Sequence, residues 1–141
     1  MVVIDTNIII SALYSRKGIS NLFLFNCLNN KIDYAVTPLL FYEYIGKIEE
    51  KINNEQLKID KNILKPILLK LFENANLIYQ PILNRPLLPD NSDDKIIECV
   101  ISSGSEYIIT YNLKHFPNDL MHNYNLKAIF PKTFLKKEKL L

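Results

Sequence analysis

The chain alternates between short apolar segments and longer segments of helical character. The short segments have strand length and almost no in/out alternation, which is typical of strands buried on both faces. They span residues 2–4, 34–36, 77–79, 107–110 and 127–130, and the helical segments span residues 19–30, 38–52, 60–75 and 92–104. Strands that alternate with helices predict an α/β fold, specifically a three-layer α/β/α sandwich with a central, mainly parallel sheet.

Local signals mark the ends of several predicted helices. Thr37 followed by Pro38 is typical of an N-cap with proline at the first helical position. Ser92 and Gly104 are suited to the N-cap and the C′ position of the fourth helix. Pro66 predicts that the third helix is kinked or divided in two.

The composition is that of a single folded domain. With 141 residues, 48% of them hydrophobic, the chain can bury one core and gives no sign of a second. We therefore expect one domain over residues 1–135 and a short basic tail over residues 136–141. No window is long and apolar enough for a membrane span, and the apolar start lacks the basic residues of a signal peptide. A soluble, cytoplasmic protein is the expectation.

Cysteine content and net charge add little. Cys27 and Cys99 lie far apart, and no cysteine pair has metal-ligand spacing, so neither a disulfide framework nor a zinc site is indicated. Both are predicted to be buried thiols. A formal charge of +2 is compatible with a nucleic-acid partner but too small to predict one.

Polar side chains follow several of the predicted strands. One of them is a carboxylate inside an apolar segment, and its burial needs an explanation. The opening segment, MVVIDTNIII, carries Asp5 inside an apolar run, and burying a carboxylate is costly unless a cation or several donors compensate it. The carboxyl ends of parallel strands form the usual site of an open sheet. Four side chains are expected to converge there: Asp5, Glu43, Asp94 and Asn112.

Each of these residues also has an ordinary structural interpretation. Asp5 could cap a helix that begins near Thr6, and Glu43 could be a partly solvated residue of a helix face. Asp94 could be a first-turn acid favoured by the helix dipole, and Asn112 could be a turn residue. Convergence of all four at one edge of the sheet favours a functional site over four separate coincidences.

Other chemistries are poorly supported. The chain has three glycines and no G-x-x-x-x-G-K-[ST] or G-x-G-x-x-G motif, so no phosphate-cradling loop is indicated. A haloacid-dehalogenase-like phosphatase would carry D-x-D-x-T after the first strand, whereas this chain has DTN. His115 and His122 are unaccompanied by G-x-S-x-G, which argues against a serine hydrolase.

The ordered motifs resemble those of PIN-domain nucleases. VIDTNIIISAL resembles the family's opening motif, and TPLLFYEYIGKI resembles the segment that carries its second acid. DNSDDKIIECVISSGSEYIITYNLKHFP is similar to the third motif with its helix and following strand. IFPKTFL resembles the end of the toxin-like bacterial branch, so the likeness runs from residue 1 to about residue 135.

The resemblance implies an acidic pocket that binds one or two Mg²⁺ or Mn²⁺ ions and hydrolyses RNA. Asp5, Glu43 and Asp94 match the metal-binding acids, and Asn112 matches a fourth catalytic position that is often aspartate. Hard oxygen ligands suit both ions, although an amide at the fourth position weakens the hold on a second ion. Short polar or acidic residues near the site are expected to orient the acids: Thr6, Asn7, Asp90, Asp93 and Thr110.

Substrate contacts and partners are less defined. Four basic residues flank the expected site and are either RNA phosphate contacts or solvated loop charges: Arg16, Lys17, Lys114 and His115. Tyr42 and Tyr44 either stack on bases or pack against the sheet. The resemblance implies an RNA substrate, an antitoxin partner and a homodimer. The alternative is a catalytically weak or inactive PIN-like module that binds RNA or a protein.

Overall fold

The protein has a five-stranded, all-parallel sheet flanked by helices. The computed structural model describes residues 1–79 and 93–141. The strand order is β3-β2-β1-β4-β5, and every neighbouring pair is parallel. The strands are β1 (Val2–Ile4), β2 (Tyr34–Val36), β3 (Asn76–Leu77), β4 (Tyr107–Ile109) and β5 (Lys127–Ile129). The predicted α/β class and parallel sheet are confirmed.

Seven α-helices lie within the described residues. They are α1 (Thr6–Tyr14), α2 (Ile19–Leu28), α3 (Pro38–Asn53), α4 (Lys61–Asn74), α5 (Asp94–Ser103), α6 (Asn118–Asn123) and α7 (Pro131–Lys137), and a 3₁₀ turn spans Leu113–His115. Helix α5 packs against β1, β2 and β4, while α3 packs against α1 and α5. No helix in the described ranges is both long enough and apolar enough to span a membrane.

The central strands are buried as their sequences predict. All residues of β1 and β2 are buried, whereas the edge strand β5 begins with an exposed lysine. Strands without alternation of apolar and polar residues are those covered on both faces. Cys27 and Cys99 are buried free thiols, as predicted, and burial raises the pKa of Cys99 to about 12.

The predicted helix signals mostly hold. The Thr37 side chain accepts a hydrogen bond from the Leu40 N–H at 3.1 Å, with Pro38 at the first helical position. Gly104 ends α5 in the left-handed conformation at φ 70°, which favours glycine. Ser92, the predicted N-cap of that helix, lies outside the described residues.

One helix signal is wrong in part. The predicted division at Pro66 does not occur, because α4 continues through this residue. Pro66 removes one donor to the carbonyl of Asn62, and Asn62 is exposed, so water can satisfy that carbonyl. At the other end of the chain, α7 continues into the expected tail, and the Leu140 N–H donates to the Leu135 carbonyl at 2.8 Å.

Candidate active site

A cleft of about 440 Å³ opens where β1 and β4 end, and acidic and amide side chains line it. Asp5 and Asn112 follow β1 and β4 respectively, while Glu43 reaches the cleft from α3. Asp93, which directly precedes α5, also lines it. The parallel sheet therefore brings together side chains that are widely separated in the sequence, at the edge where open α/β sheets carry their sites.

Asp5 is held at the end of β1 by neutral donors. Its backbone N–H donates to the Ile109 carbonyl at 2.9 Å, which continues the ladder between β1 and β4. Its Oδ2 accepts a hydrogen bond from the Thr110 hydroxyl at 2.7 Å and one from the Asn7 side-chain amide at 3.3 Å. Asp5 occupies the N-cap position of α1, but its side chain makes no capping hydrogen bond. The side-chain hydrogen bonds of this carboxylate therefore come from Thr110 and Asn7, and helix capping does not account for them.

Burial makes the Asp5 carboxylate electrostatically expensive. The residue is only 7% exposed. Loss of solvent raises the pKa of Asp5 above its ordinary value, and hydrogen bonds from Thr110 and the Thr6 backbone offset this only in part. A cation beside Asp5 would stabilise the ionised form.

Glu43 is positioned by contacts from two neighbouring helices. Its Oε2 accepts a hydrogen bond from the Thr6 hydroxyl at 3.2 Å, and its Oε1 lies 3.7 Å from the Lys95 ammonium. The next residue, Tyr44, is buried and donates its hydroxyl hydrogen to the carbonyl of Ile4, the last residue of β1. Tyr44 therefore packs against the sheet rather than stacking on bases, and it fixes α3 relative to the end of β1.

The two aspartates at the start of α5 have different environments. Asp93 lines the cleft, and its Oδ2 lies 3.0 Å from Nδ1 of His115. Asp94 is the first residue of α5, has no solvent exposure and is not among the residues that line the cleft. Asp90, the third acid of this segment in the sequence prediction, lies outside the described residues.

The Thr110 hydroxyl makes hydrogen bonds with both Asp5 and the segment that follows β4. Thr110 is fully buried and, besides donating to Asp5, accepts a hydrogen bond from the Asn112 backbone N–H at 2.9 Å. The side-chain amide of Asn7 lies 3.5 Å from the same hydroxyl, and its Oδ1 accepts from the Tyr111 N–H at 3.4 Å. These contacts hold the segment after β4 against the start of α1.

Basic residues of the cleft differ in part from those that the sequence analysis named. His115 lines the cleft, but Arg16, Lys17 and Lys114 are exposed and are not among its lining residues. Two other lysines of α3 do line it, Lys47 and Lys51. The signal for them was available in the sequence, because they follow Glu43 at intervals of four residues and so share its helix face.

The donors of the cleft have the chemistry that Mg²⁺ or Mn²⁺ requires. Asp5 is a buried carboxylate whose described hydrogen-bond donors are neutral side chains, and Glu43 and Asp93 add further oxygens. Within residues 1–79 and 93–141, no group of three or more His, Cys, Asp or Glu side chains is arranged to hold a metal ion as it stands. Mg²⁺ commonly retains several waters and takes one or two carboxylates plus substrate phosphate as ligands, so the carboxylate oxygens of the cleft fit such an ion.

Known proteins resemble this chain over different lengths. A family model described as the PIN domain matches residues 1–114. MJ1680 of Methanocaldococcus jannaschii, whose name assigns no function, is 28% identical over 141 residues, covering 96% of this chain and 89% of the relative. VapC50 of Mycobacterium tuberculosis, named as a candidate ribonuclease, is 40% identical over 43 residues, which cover 30% of this chain but only 25% of that relative. Because the family model spans most of the chain, including Asp5, Glu43 and Asp94, the protein belongs to the PIN domain family.

Proposed function

We propose that this protein is an endoribonuclease that uses Mg²⁺ or Mn²⁺ to hydrolyse RNA, and that it is the toxin of a toxin–antitoxin pair in the cytoplasm. PIN domains are generally nucleases that use divalent metal ions. The observation that carries the proposal is the cleft in which Asp5, Glu43 and Asp93 meet the amide of Asn112. The match to VapC50, which is named as a candidate ribonuclease, supports RNA as the substrate, and the antitoxin partner rests on the resemblance of the sequence motifs to the toxin-like branch of the family.

The residues proposed to hold the metal are Asp5, Glu43 and Asp94, and Asn112 would act beside them. An ion held by these residues would lower the pKa of a nearby water and would stabilise the negative charge that develops on the phosphate during hydrolysis. Thr110 and Asn7 orient the Asp5 carboxylate, and Thr6 orients that of Glu43. His115 fixes Asp93 on the rim of the same cleft. Hydrolysis would leave a 5′-phosphate and a 3′-hydroxyl.

Removal of the metal is expected to stop cleavage. End-labelled single-stranded RNA is incubated with the purified protein and Mn²⁺, with and without excess EDTA, and the products are resolved on a gel. We expect cleavage only where free Mn²⁺ is present, because the acids alone would repel the phosphate. A mock purification from cells that do not express the protein detects a contaminating ribonuclease, and Glu43→Gln, prepared in the same way as the wild type, tests the role of Glu43. Cleavage that persists in EDTA would contradict metal dependence, and cleavage by the Glu43→Gln protein would contradict the role of Glu43.

Thr110→Val is expected to weaken the site while keeping its shape. Valine removes the hydroxyl that donates to Asp5 and accepts from Asn112, so buried polar groups lose their partner. The free energy of unfolding should fall by about 1–3 kcal/mol, and the affinity for Mn²⁺ by about 10–100-fold. Urea unfolding and calorimetric titration measure these effects, with Thr110→Ser as the hydroxyl-bearing control. Unchanged Mn²⁺ affinity in the valine variant would remove Thr110 from the site.

A non-catalytic module is the second candidate, and two observations favour it. Position 112 carries an amide instead of a carboxylate, and Lys95 lies 3.7 Å from Glu43, where it partly neutralises that acid without a metal. Titration with Mn²⁺ separates the candidates. Binding that Asp5→Ala abolishes favours the nuclease, whereas no measurable binding by either protein favours the module.

The toxin role and the homodimer need tests of their own. A toxin should be inhibited by a small protein encoded beside it, and a housekeeping ribonuclease should not. Cleavage assays with and without the product of the adjacent gene distinguish these two roles, and light scattering of the purified chain measures whether it forms a dimer.

A further inference from the structure

The cleft that holds the acids extends along the space between α1 and α3. On α1, its lining continues from Thr6 through Ile10 to Tyr14, and on α3 it continues from Glu43 through Lys47 to Lys51. Residues four apart lie on the same face of a helix, so each helix presents one face to the cleft over about two turns. Because α1 and α3 also pack against each other, their two lining faces form adjacent walls of one groove, which we call the α1–α3 groove. The acids lie at one end of this groove.

The groove changes its chemistry with distance from the acids. Eight residues of helix rise by about 12 Å, so Lys51 and Tyr14 lie roughly that far along their helices from Glu43 and Thr6. Acidic side chains line the first part, and lysines line the wall of α3 beyond it. A strand of nucleic acid whose scissile phosphate lies at the acids would therefore meet positive charge where its next phosphates lie.

Lys47 can exchange its present contact for a phosphate. The Lys47 ammonium lies 3.5 Å from Glu50, and both side chains of this pair are more than half exposed. Such an exposed ion pair contributes little stability, so a phosphate can replace the carboxylate at small cost. Lys51, in the last turn of α3, is partly buried against the groove. Two successive charges at intervals of one helical turn suit the repeating charges of a backbone.

Tyr14 supplies the second kind of contact. It is the last residue of α1, and it is 53% exposed although it lines the groove. An exposed aromatic ring beside a row of cations is the combination by which proteins bind single-stranded nucleic acid, since bases stack on the ring and phosphates contact the cations. The bases of a duplex are already stacked on one another and are unavailable to such a ring.

We infer that the α1–α3 groove binds the single-stranded RNA next to the scissile phosphate, with Lys47 and Lys51 contacting successive phosphates and Tyr14 stacking on a base. This inference rests on the proposed function, because it takes RNA as the substrate. It assigns the selection of unpaired RNA to three side chains outside the acidic cluster. None of the three is proposed to hold the metal.

Binding without cleavage tests the groove. Fluorescence anisotropy of a labelled single-stranded RNA is measured in EDTA at several salt concentrations, with a duplex of the same sequence for comparison. For Lys47→Ala/Lys51→Ala, the slope of log affinity against log salt should fall by about 1.4, since each single-strand phosphate contact contributes about 0.7. Lys70→Ala/Lys132→Ala removes two exposed lysines outside the groove and should leave the slope unchanged.

The tyrosine is tested by a different readout. Tyr14→Ala should weaken binding of single-stranded RNA by about 5- to 150-fold, with no change in the salt slope and little change for the duplex. Tyr14→Phe keeps the ring and should bind as the wild type does. In the Mn²⁺ cleavage assay, the groove variants, Lys47→Ala/Lys51→Ala and Tyr14→Ala, should have a higher KM than the wild type and nearly the same kcat.

The outcomes separate this inference from the proposed function. If the wild-type protein cleaves RNA but the groove variants match it in affinity, salt slope and KM, the groove inference is wrong and the nuclease stands. If no RNA is cleaved but the groove variants lose affinity as described, the groove binds RNA and the nuclease proposal fails. Failure of the wild-type protein to bind single-stranded RNA overturns the groove inference.

Discussion

Asp5→Asn is expected to reduce metal-dependent RNA cleavage by at least about 10³-fold, which corresponds to the several kcal/mol that a bound ion contributes to the transition state. The change removes one negative charge and keeps the shape of the side chain. The asparagine oxygen can still accept the hydrogen bond from Thr110 that now reaches Asp5. Loss of activity would therefore report the loss of charge rather than of local structure.

The same variant should be at least as stable as the wild type without metal. Burial raises the pKa of Asp5 in the folded state, so this group stabilises the fold only when protonated. The stabilisation by protonated Asp5 is complete below the pKa of the unfolded state, and it is lost as the pH rises through the higher pKa of the folded state. At neutral pH, burial of the ionised group therefore lowers the free energy of unfolding. Asparagine has no such cost.

Thermal unfolding at neutral pH, with EDTA and with Mn²⁺, measures both effects together. Mn²⁺ should raise the Tm of the wild type, because a ligand that binds only the folded state stabilises it, and should leave the Tm of Asp5→Asn unchanged. Asp33→Asn changes an exposed aspartate just before β2, at the opposite edge of the sheet, and should behave as the wild type does. A Tm of Asp5→Asn well below that of wild type in EDTA would contradict the electrostatic argument.

Asp94→Asn is expected to abolish metal-dependent cleavage, while Asp93→Asn should retain a measurable fraction of it. Asp94 is the first residue of α5, has no solvent exposure and is one of the three acids proposed to hold the metal, so Asp94→Asn removes a negatively charged ligand that Mg²⁺ or Mn²⁺ prefers. Asp93 already faces His115 at 3.0 Å, so its expected role is to orient and to add negative charge. Loss of an orienting contact typically costs about 10–100-fold.

The two variants are measured side by side for cleavage rate, Mn²⁺ affinity and circular dichroism. Unchanged circular dichroism in both would show that the variants keep the secondary structure of the wild type. Full activity in Asp94→Asn together with complete loss in Asp93→Asn would move the third metal ligand to Asp93, the acid that lines the cleft.

Much of the architecture follows from the sequence pattern. Alternation of buried runs with helices predicts the parallel sheet, and the Thr37–Pro38 pair and Gly104 mark helix ends that the structure confirms. The boundary between β1 and α1 is less visible. Apolar residues resume from Ile8 to Ile10 shortly after the strand. Only the short polar segment that begins at Asp5 therefore separates two elements of similar hydrophobicity.

The residues of the site are only partly predictable from the sequence. The pattern predicts that Asp5, Glu43, Asp94 and Asn112 converge, and of these Asp5, Glu43 and Asn112 line the cleft, whereas Asp94 does not. The contact of Lys95 with Glu43 and the buried hydroxyl of Tyr44 depend on how α3 and α5 pack, which no local spacing encodes. The groove lysines Lys47 and Lys51 could have been found from the four-residue interval.

The bond between Asp5 and Thr110 joins residues 105 positions apart in the chain. Because a polypeptide is synthesised from its N-terminus, Asp5 is made well before β4 and before Thr110, the partner that orients it. A chain that ends before Tyr107, whether nascent or truncated, lacks β4 and β5 and so has no complete cleft. The cleft can therefore be completed only after His115, the last of its lining residues along the chain, has been synthesised.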